Sequence, residues 1–265
     1  MNKFISGVVG IGDAIIFMSG IDRFFPAEEK TYMDFDYNII KHWRPNPESY
    51  YDFLMKFTDF IKPNENVIVQ KWLLGATYLH NVQSPFTERG VDFKCIDLKN
   101  RMNTEKDPSK IILHTKVRAL NRIEYDTNKQ KIYEILSNSS KTFIILGERE
   151  IEYGKEYSIL GNNIVYSIYD DIIKYLPKDK IEDLTIPKLG ITIPTFENLI
   201  KDIEIISKHK NICVGSGGNY QICSSFSDVI GVVNRNDSLN IFLDKHQNEL
   251  KDMNNFLNEL PNFIK

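Results

Sequence analysis

The feature that most constrains this chain is an alternation: a short apolar run, a glycine or polar turn, then a helical segment, with no internal sequence repeat. Buried runs include Lys3–Val9, Ile111–His114, Thr142–Gly147, Asn211–Gly215 and Val229–Val233. Each has four to seven residues, which is strand length rather than helix length. Segments with helical spacing alternate with them at 13–25, 48–61, 128–137, 195–208 and 219–226. Strands alternating with helices predict a parallel sheet covered by helices, so the fold class is α/β. Further strands are expected at 33–40, 66–70, 91–98 and 163–169, and a terminal amphipathic helix at 239–258. The stretch 99–110 (KNRMNTEKDPSK) is polar, charged and proline-containing, so it serves as the expected linker. The chain then reads as two Rossmann-like lobes, 1–105 and 106–265, with a central cleft. One place for the apolar face of the terminal helix is the first lobe.

Composition excludes several classes. A net charge of −3 and a pI near 6.0 give no basic face for nucleic acid. Cys95, Cys213 and Cys223 are odd in number and form no CxxC, so neither a disulfide framework nor a zinc motif is expected. No run of about 18 apolar residues occurs, so no transmembrane segment is expected. The N-terminal apolar stretch is interrupted by Gly10, Gly12 and Asp13, unlike a signal peptide, and a cytoplasmic location is expected. HExxH, paired-Cys and EF-hand patterns are absent, so no protein-bound metal is called for, and neither a Walker A loop nor a GxSxG nucleophile elbow is present.

Four turns are candidates for chemistry. Gly10-Ile11-Gly12-Asp13 follows the first strand, and its glycines let backbone N–H groups approach a ligand. A dinucleotide fingerprint would need glycine where Ile15 stands, which disfavours a nicotinamide or flavin site. Asp13 reads either as an N-cap or as a general base at the cleft. His114-Thr115-Lys116-Val117-Arg118 lies at a strand's carboxyl end, where ligands gather in open α/β sheets. Lys116 and Arg118 either neutralise a diphosphate there or are solvated loop cations, and His114 fits a core or strand-end histidine. Glu148, following Gly147, is placed to accept hydrogen bonds from a ribose or sugar hydroxyl pair. Finally, Gly215-Ser216-Gly217-Gly218-Asn219 precedes a helix, offering unpaired N–H donors and a positive dipole end to phosphate.

Taken in order, these turns resemble the heptosyltransferase-like GT-B glycosyltransferases. That resemblance implies an acceptor-side loop at Gly10 and Gly12 with Asp13 as base. It implies donor binding by Lys116, Arg118, Glu148, Ser216, Gly217, Gly218 and Asn219. The late turn departs from the family by having Gly215 or Gly217 where aspartate is usual, and by lacking the histidine that follows. His114 and Arg118 are also similar to the His-x-x-x-Arg stretch of the fucosyltransferase-like branch, which leaves the donor open. The implied activity is metal-independent transfer of a sugar from a nucleotide-sugar donor to a glycan, lipid-linked or other hydroxyl acceptor. The nucleotide sugar is a substrate, and no cofactor is implied. The alternatives are an epimerase or hydrolase of nucleotide sugars on the same scaffold, and a non-catalytic binding or assembly protein.

Overall fold

The computed structural model describes residues 2–6, 10–24, 27–43, 46–70, 96–102, 104–151, 165–189, 195–215, 218–232 and 250–265. The chain divides into two compact units, Met1–Leu98 with Ile193–Asp202, and Lys99–Thr192 with Ile203–Lys265. Both are α/β with parallel sheets.

In the first unit β1 (Asn2–Ser6), β2 (Thr31–Phe35) and β3 (Val67–Val69) form a parallel sheet in that order. Helix α1 (Ile11–Phe24) joins β1 to β2, and α2 (Tyr37–Trp43) with α3 (Pro47–Ile61) joins β2 to β3. Pro47 suits the first turn of α3, where its missing N–H has no intrahelical partner to lose. Tyr50, Phe53, Leu54, Phe57 and Ile61 recur at helical spacing on α3 and are buried with Ile15, Met18 and Ile21 of α1. The expected strand 33–40 ends early. Asp36 accepts from the N–H of Asn38 at 2.9 Å, and this polar cap turns the chain into α2.

The second unit holds a six-stranded parallel sheet. Its strands are β4 (Lys110–His114), β6 (Thr142–Leu146), β9 (Ile181–Asp183), β11 (Lys210–Cys213), β12 (Val229–Val232) and β13 (Leu250–Lys251). They lie side by side as β13-β12-β11-β4-β6-β9. Counted along the unit, this is the 3-2-1-4-5-6 order of a doubly wound fold, reversing direction between β4 and β11.

Alternation along the strands divides the side chains between two faces. Ile111, Leu113, Phe143, Ile145, Ile212, Val214 and Ile230 share one core with three helices: α4 (Ala119–Ser137), α5 (Tyr169–Tyr175) and α8 (Met253–Phe263). Ile112, His114, Asn211 and Cys213 face the other side; α6 (Phe196–Lys208) leads into β11, and α7 (Gly218–Phe226) joins β11 to β12. The terminal helix, for which the first lobe was one expected place, buries Met253, Phe256, Leu257 and Leu260 in this second-unit core. Its start is capped by Asp252, which accepts from the N–H of Asn255 at 2.8 Å.

Two departures from expectation shape the region around β4. Helix α4 begins at Ala119, nine residues before the expected 128. The expected linker is tied down: Thr104 Oγ1 lies 2.9 Å from Ser207 Oγ, the N–H of Asp107 donates to the Lys208 carbonyl at 3.0 Å, and Lys99 pairs with Asp228 at 2.9 Å. Among the described residues, 96–98 form no strand, and the rest of the expected strand 91–98 lies outside them. The expected helix 239–258 gives β13 and α8 over its described part, and residues 239–249 lie outside it.

Candidate functional site

Three of the four turns meet at one edge of one sheet. β4, β6 and β11 are adjacent and parallel, so their carboxyl ends lie together. His114-Thr115-Lys116 leaves β4, Gly147-Glu148 leaves β6, and Val214-Gly215 leaves β11 toward α7. The direction change between β4 and β11 opens the loops on opposite faces, which is where open α/β sheets bind ligands. The described part of the late turn is the buried Gly215 and the first residues of α7, the exposed Gly218 and half-buried Asn219. Ser216 and Gly217 lie outside the described residues.

Beyond that edge the chain builds a second tier. β5 (Lys116–Arg118) pairs antiparallel with β8 (Val165–Ser167), and β7 (Glu148–Ile151) pairs parallel with β10 (Ile186–Leu189). The tier is stitched to the strand ends. The N–H of Ile168 donates to the Thr115 carbonyl at 2.8 Å, Ser167 Oγ donates to the Glu148 carbonyl at 2.6 Å, and the N–H of Ile186 donates to the Gly147 carbonyl at 2.9 Å. Gly147 has φ +123°, a conformation open to glycine, and a Cβ added there would run into Thr115 Oγ1.

Lys116 and Glu148 form an ion pair, Nζ to Oε1, at 3.4 Å, with side chains 25% and 11% exposed. The cation expected to meet phosphate therefore lies beside a carboxylate, which lowers its net attraction for an anion. The second carboxylate oxygen, Glu148 Oε2, and Thr115 Oγ1 are both buried without a hydrogen-bond partner. An unpaired buried polar atom costs about 1–3 kcal/mol, which a ligand hydroxyl meeting it would offset. Arg118 lies on β5, opposite Val165.

Under the β11–α7 turn lies a cluster that sequence spacing does not reveal. His114 Nε2 is 3.1 Å from both Asn211 Oδ1 and Cys223 Sγ, and Cys223 Sγ is 3.5 Å from Asn211 Oδ1. The Asn211 amide is oriented by its own Nδ2, which donates to the carbonyls of Ile206 and His209 at 3.2 and 2.9 Å. Cys213 completes the group: the ligand atoms of His114, Cys213 and Cys223 all lie within 4.8 Å of one another. Burial pushes the His114 imidazole down to about 4, with Lys116 adding to the shift and Asn211 opposing it. His114 is thus the buried, hydrogen-bonded strand-end histidine that its position suggested. The two cysteines are reduced, buried thiols. Cys95 lies outside the described residues.

In the first unit, α1 begins at Ile11, and the N–H of Ala14 donates to the Gly10 carbonyl at 3.0 Å. Gly10 therefore takes the N-cap place. Gly12 and Asp13 lie within the first turn, so Asp13 is not the N-cap, which was one of its two expected roles. The same unit contains a buried carboxylate that the sequence did not flag. Asp34 on β2 accepts from the N–H of Phe35 at 2.7 Å and from the Tyr51 hydroxyl. Burial and the adjacent Asp34 push the Tyr51 phenol well above its ordinary value. Among the described residues, no helix is long and apolar enough to cross a membrane.

No model of a known protein family matches the chain, and comparison with curated proteins returns no match.

Proposed function

We propose that the chain is a glycosyltransferase of the two-lobed, Rossmann-like GT-B kind, moving a sugar from a nucleotide-sugar donor to an acceptor hydroxyl. One observation supports this above the others. In the second unit, the segments around Lys116, Glu148 and Gly215–Asn219 leave three adjacent strand ends at the point where the strand order reverses. A nucleoside diphosphate suits such an edge, because the start of α7 offers N–H donors and the β4 loop offers cations.

In this mechanism the amides of the Gly217–Asn219 turn, with Lys116 and Arg118, stabilise the diphosphate as negative charge grows on it in the transition state. The Glu148 carboxylate accepts from a ribose or sugar hydroxyl. Asp13 takes the proton from the acceptor hydroxyl as its oxygen attacks the anomeric carbon. The cytosol, where nucleotide sugars are made, is the proposed place of action.

The test begins with UDP, GDP, ADP and CMP and their sugar derivatives, read by thermal shift and calorimetry. One nucleotide series is expected to raise Tm, since a ligand that binds only the native state must stabilise it. Lys116→Ala and Arg118→Ala are each expected to weaken that binding roughly 10–100-fold, as a charge-assisted contact contributes about 1.5–3 kcal/mol. Asp13→Ala is expected to slow transfer at least about 10²-fold while leaving donor affinity nearly unchanged. Unchanged turnover in Asp13→Ala removes that residue from the mechanism. Conversion of the donor without acceptor makes the protein an epimerase or hydrolase, and indifference to every nucleotide leaves a binding or assembly role.

A further inference from the structure

We propose that His114, Cys213, Cys223 and Asn211 hold a buried zinc ion that clips β4, β11 and α7 together beneath the turn at the sheet's reversal point. The proposal stands apart from sugar transfer and from any role of metal at a diphosphate.

Geometry comes first. Tetrahedral zinc with thiolate bonds near 2.3 Å and imidazole or oxygen bonds near 2.0 Å sets its donors about 3.3–3.8 Å apart. Three donor pairs here already lie at 3.1, 3.1 and 3.5 Å, so a slight outward shift of the side chains makes room for an ion at their centre. Cys213 reaches the same group, within 4.8 Å of His114 and Cys223. The donors come from three separate elements, β4, β11 and α7, each fixed by the core around it.

Charge is the second consideration. All four side chains are buried, so an uncompensated ion would be costly. Binding Zn²⁺ releases one proton from each thiol. Two thiolates then balance the two positive charges, while the imidazole and the amide bind as neutral groups. The filled site carries no net charge, which suits full burial.

Orientation is the third. Asn211 has both amide hydrogens committed to backbone carbonyls, which leaves Oδ1 turned toward His114 and Cys223. Metal ligands are commonly held this way by outer hydrogen bonds. The donor set of two sulfurs, one nitrogen and one oxygen favours zinc over harder divalent ions.

The test uses the full chain, reduced, stripped with a chelator and then given zinc or cobalt alone. We expect about one zinc per chain by elemental analysis and a Tm about 10 °C higher with saturating zinc than with chelator. Cobalt is expected to give a thiolate charge-transfer band and visible bands of tetrahedral intensity. Cys223→Ser and Cys213→Ser are expected to lose these signals, and Cys95→Ser to keep them. A wild-type chain with no thiolate–cobalt band overturns the proposal without reference to any variant. Zinc uptake that survives both serine variants, or that follows Cys95, overturns it equally. Nucleotide binding is read separately, so a failure here leaves the sugar-transfer proposal standing.

Discussion

Gly147→Ala is expected to destabilise the protein by roughly 2–4 kcal/mol, the sum of an unfavourable positive φ and a forced contact in a packed interior. At Gly147 the chain passes from β6 to β7 at φ +123°, which side-chain-bearing residues rarely adopt. The new methyl would collide with Thr115 Oγ1, while the Thr115 Cβ and backbone nitrogen, at 3.5 Å, stay at ordinary contact distance. Thr115 is buried and short, so it has no free end to swing aside. Its N–H is also tied to the Leu146 carbonyl at 3.1 Å. Chemical denaturation of Gly147→Ala against wild type measures the loss. Adding Thr115→Ala should restore about half of it, because the collision is removed while the φ penalty stays. Full recovery in the double variant would show that backbone conformation contributes nothing.

The second large effect is a pH dependence. With metal removed by a chelator, stability is expected to fall by about 1.4 kcal/mol per pH unit as pH drops below 6.5, the ordinary value for histidine. The sign follows from where the proton goes. The folded chain keeps His114 neutral down to about pH 4, whereas the unfolded chain takes the proton near 6.5. Between those values acid favours the unfolded state, and the total contribution reaches roughly 3 kcal/mol. Below about pH 4 both states are protonated and this contribution ends. Denaturation midpoints from pH 7.5 to 4 on wild type and His114→Gln isolate the effect, since other groups titrate in both. Parallel pH profiles for the two proteins would mean that His114 is not the group responsible.

Much of the sheet was legible because its strands are covered on both sides. Ile111–His114, Thr142–Leu146 and Val229–Val232 are nearly continuous apolar runs, as doubly covered parallel strands must be. Helix α3 was legible from the spacing of its aromatics. The misread segments have local polar causes. Asp36 ends β2 and starts α2 by hydrogen bonding to backbone N–H groups, so an alternating stretch changes structure midway. The first nine residues of α4 include Asn121, Asp126 and Thr127, which have weak helix preference; tertiary packing of the fully buried Tyr125 extends the helix through them. In the second tier β8 falls within the strand expected at 163–169, whereas β5, β7 and β10 have three or four residues, too short to carry a period.

The candidate site was legible only one turn at a time. Lys116, Glu148 and Gly215 each follow a strand, and that local rule flagged them. Their shared edge depends on strand order, which no single segment encodes. The His114–Cys223 contact spans 109 residues, and the Asn211 partners His114, Ile206 and Cys223 come from three different elements. Thr115 was passed over because a threonine at a strand end looks ordinary until its hydroxyl is seen to be buried without a hydrogen-bond partner.

The chain's division between units is not a single cut. Residues 193–202 belong with the first unit, where Phe196 meets Phe60 edge-on at 6.1 Å, while the remainder of α6 belongs with the second. The polypeptide therefore crosses from one body to the other three times. An expression fragment beginning at Lys99 would carry a stretch of foreign helix with Phe196 and Leu199 stripped of their usual company. Producing the second unit by itself calls for redesigning that stretch with polar residues, and trimming at one boundary would yield a sticky, poorly behaved product.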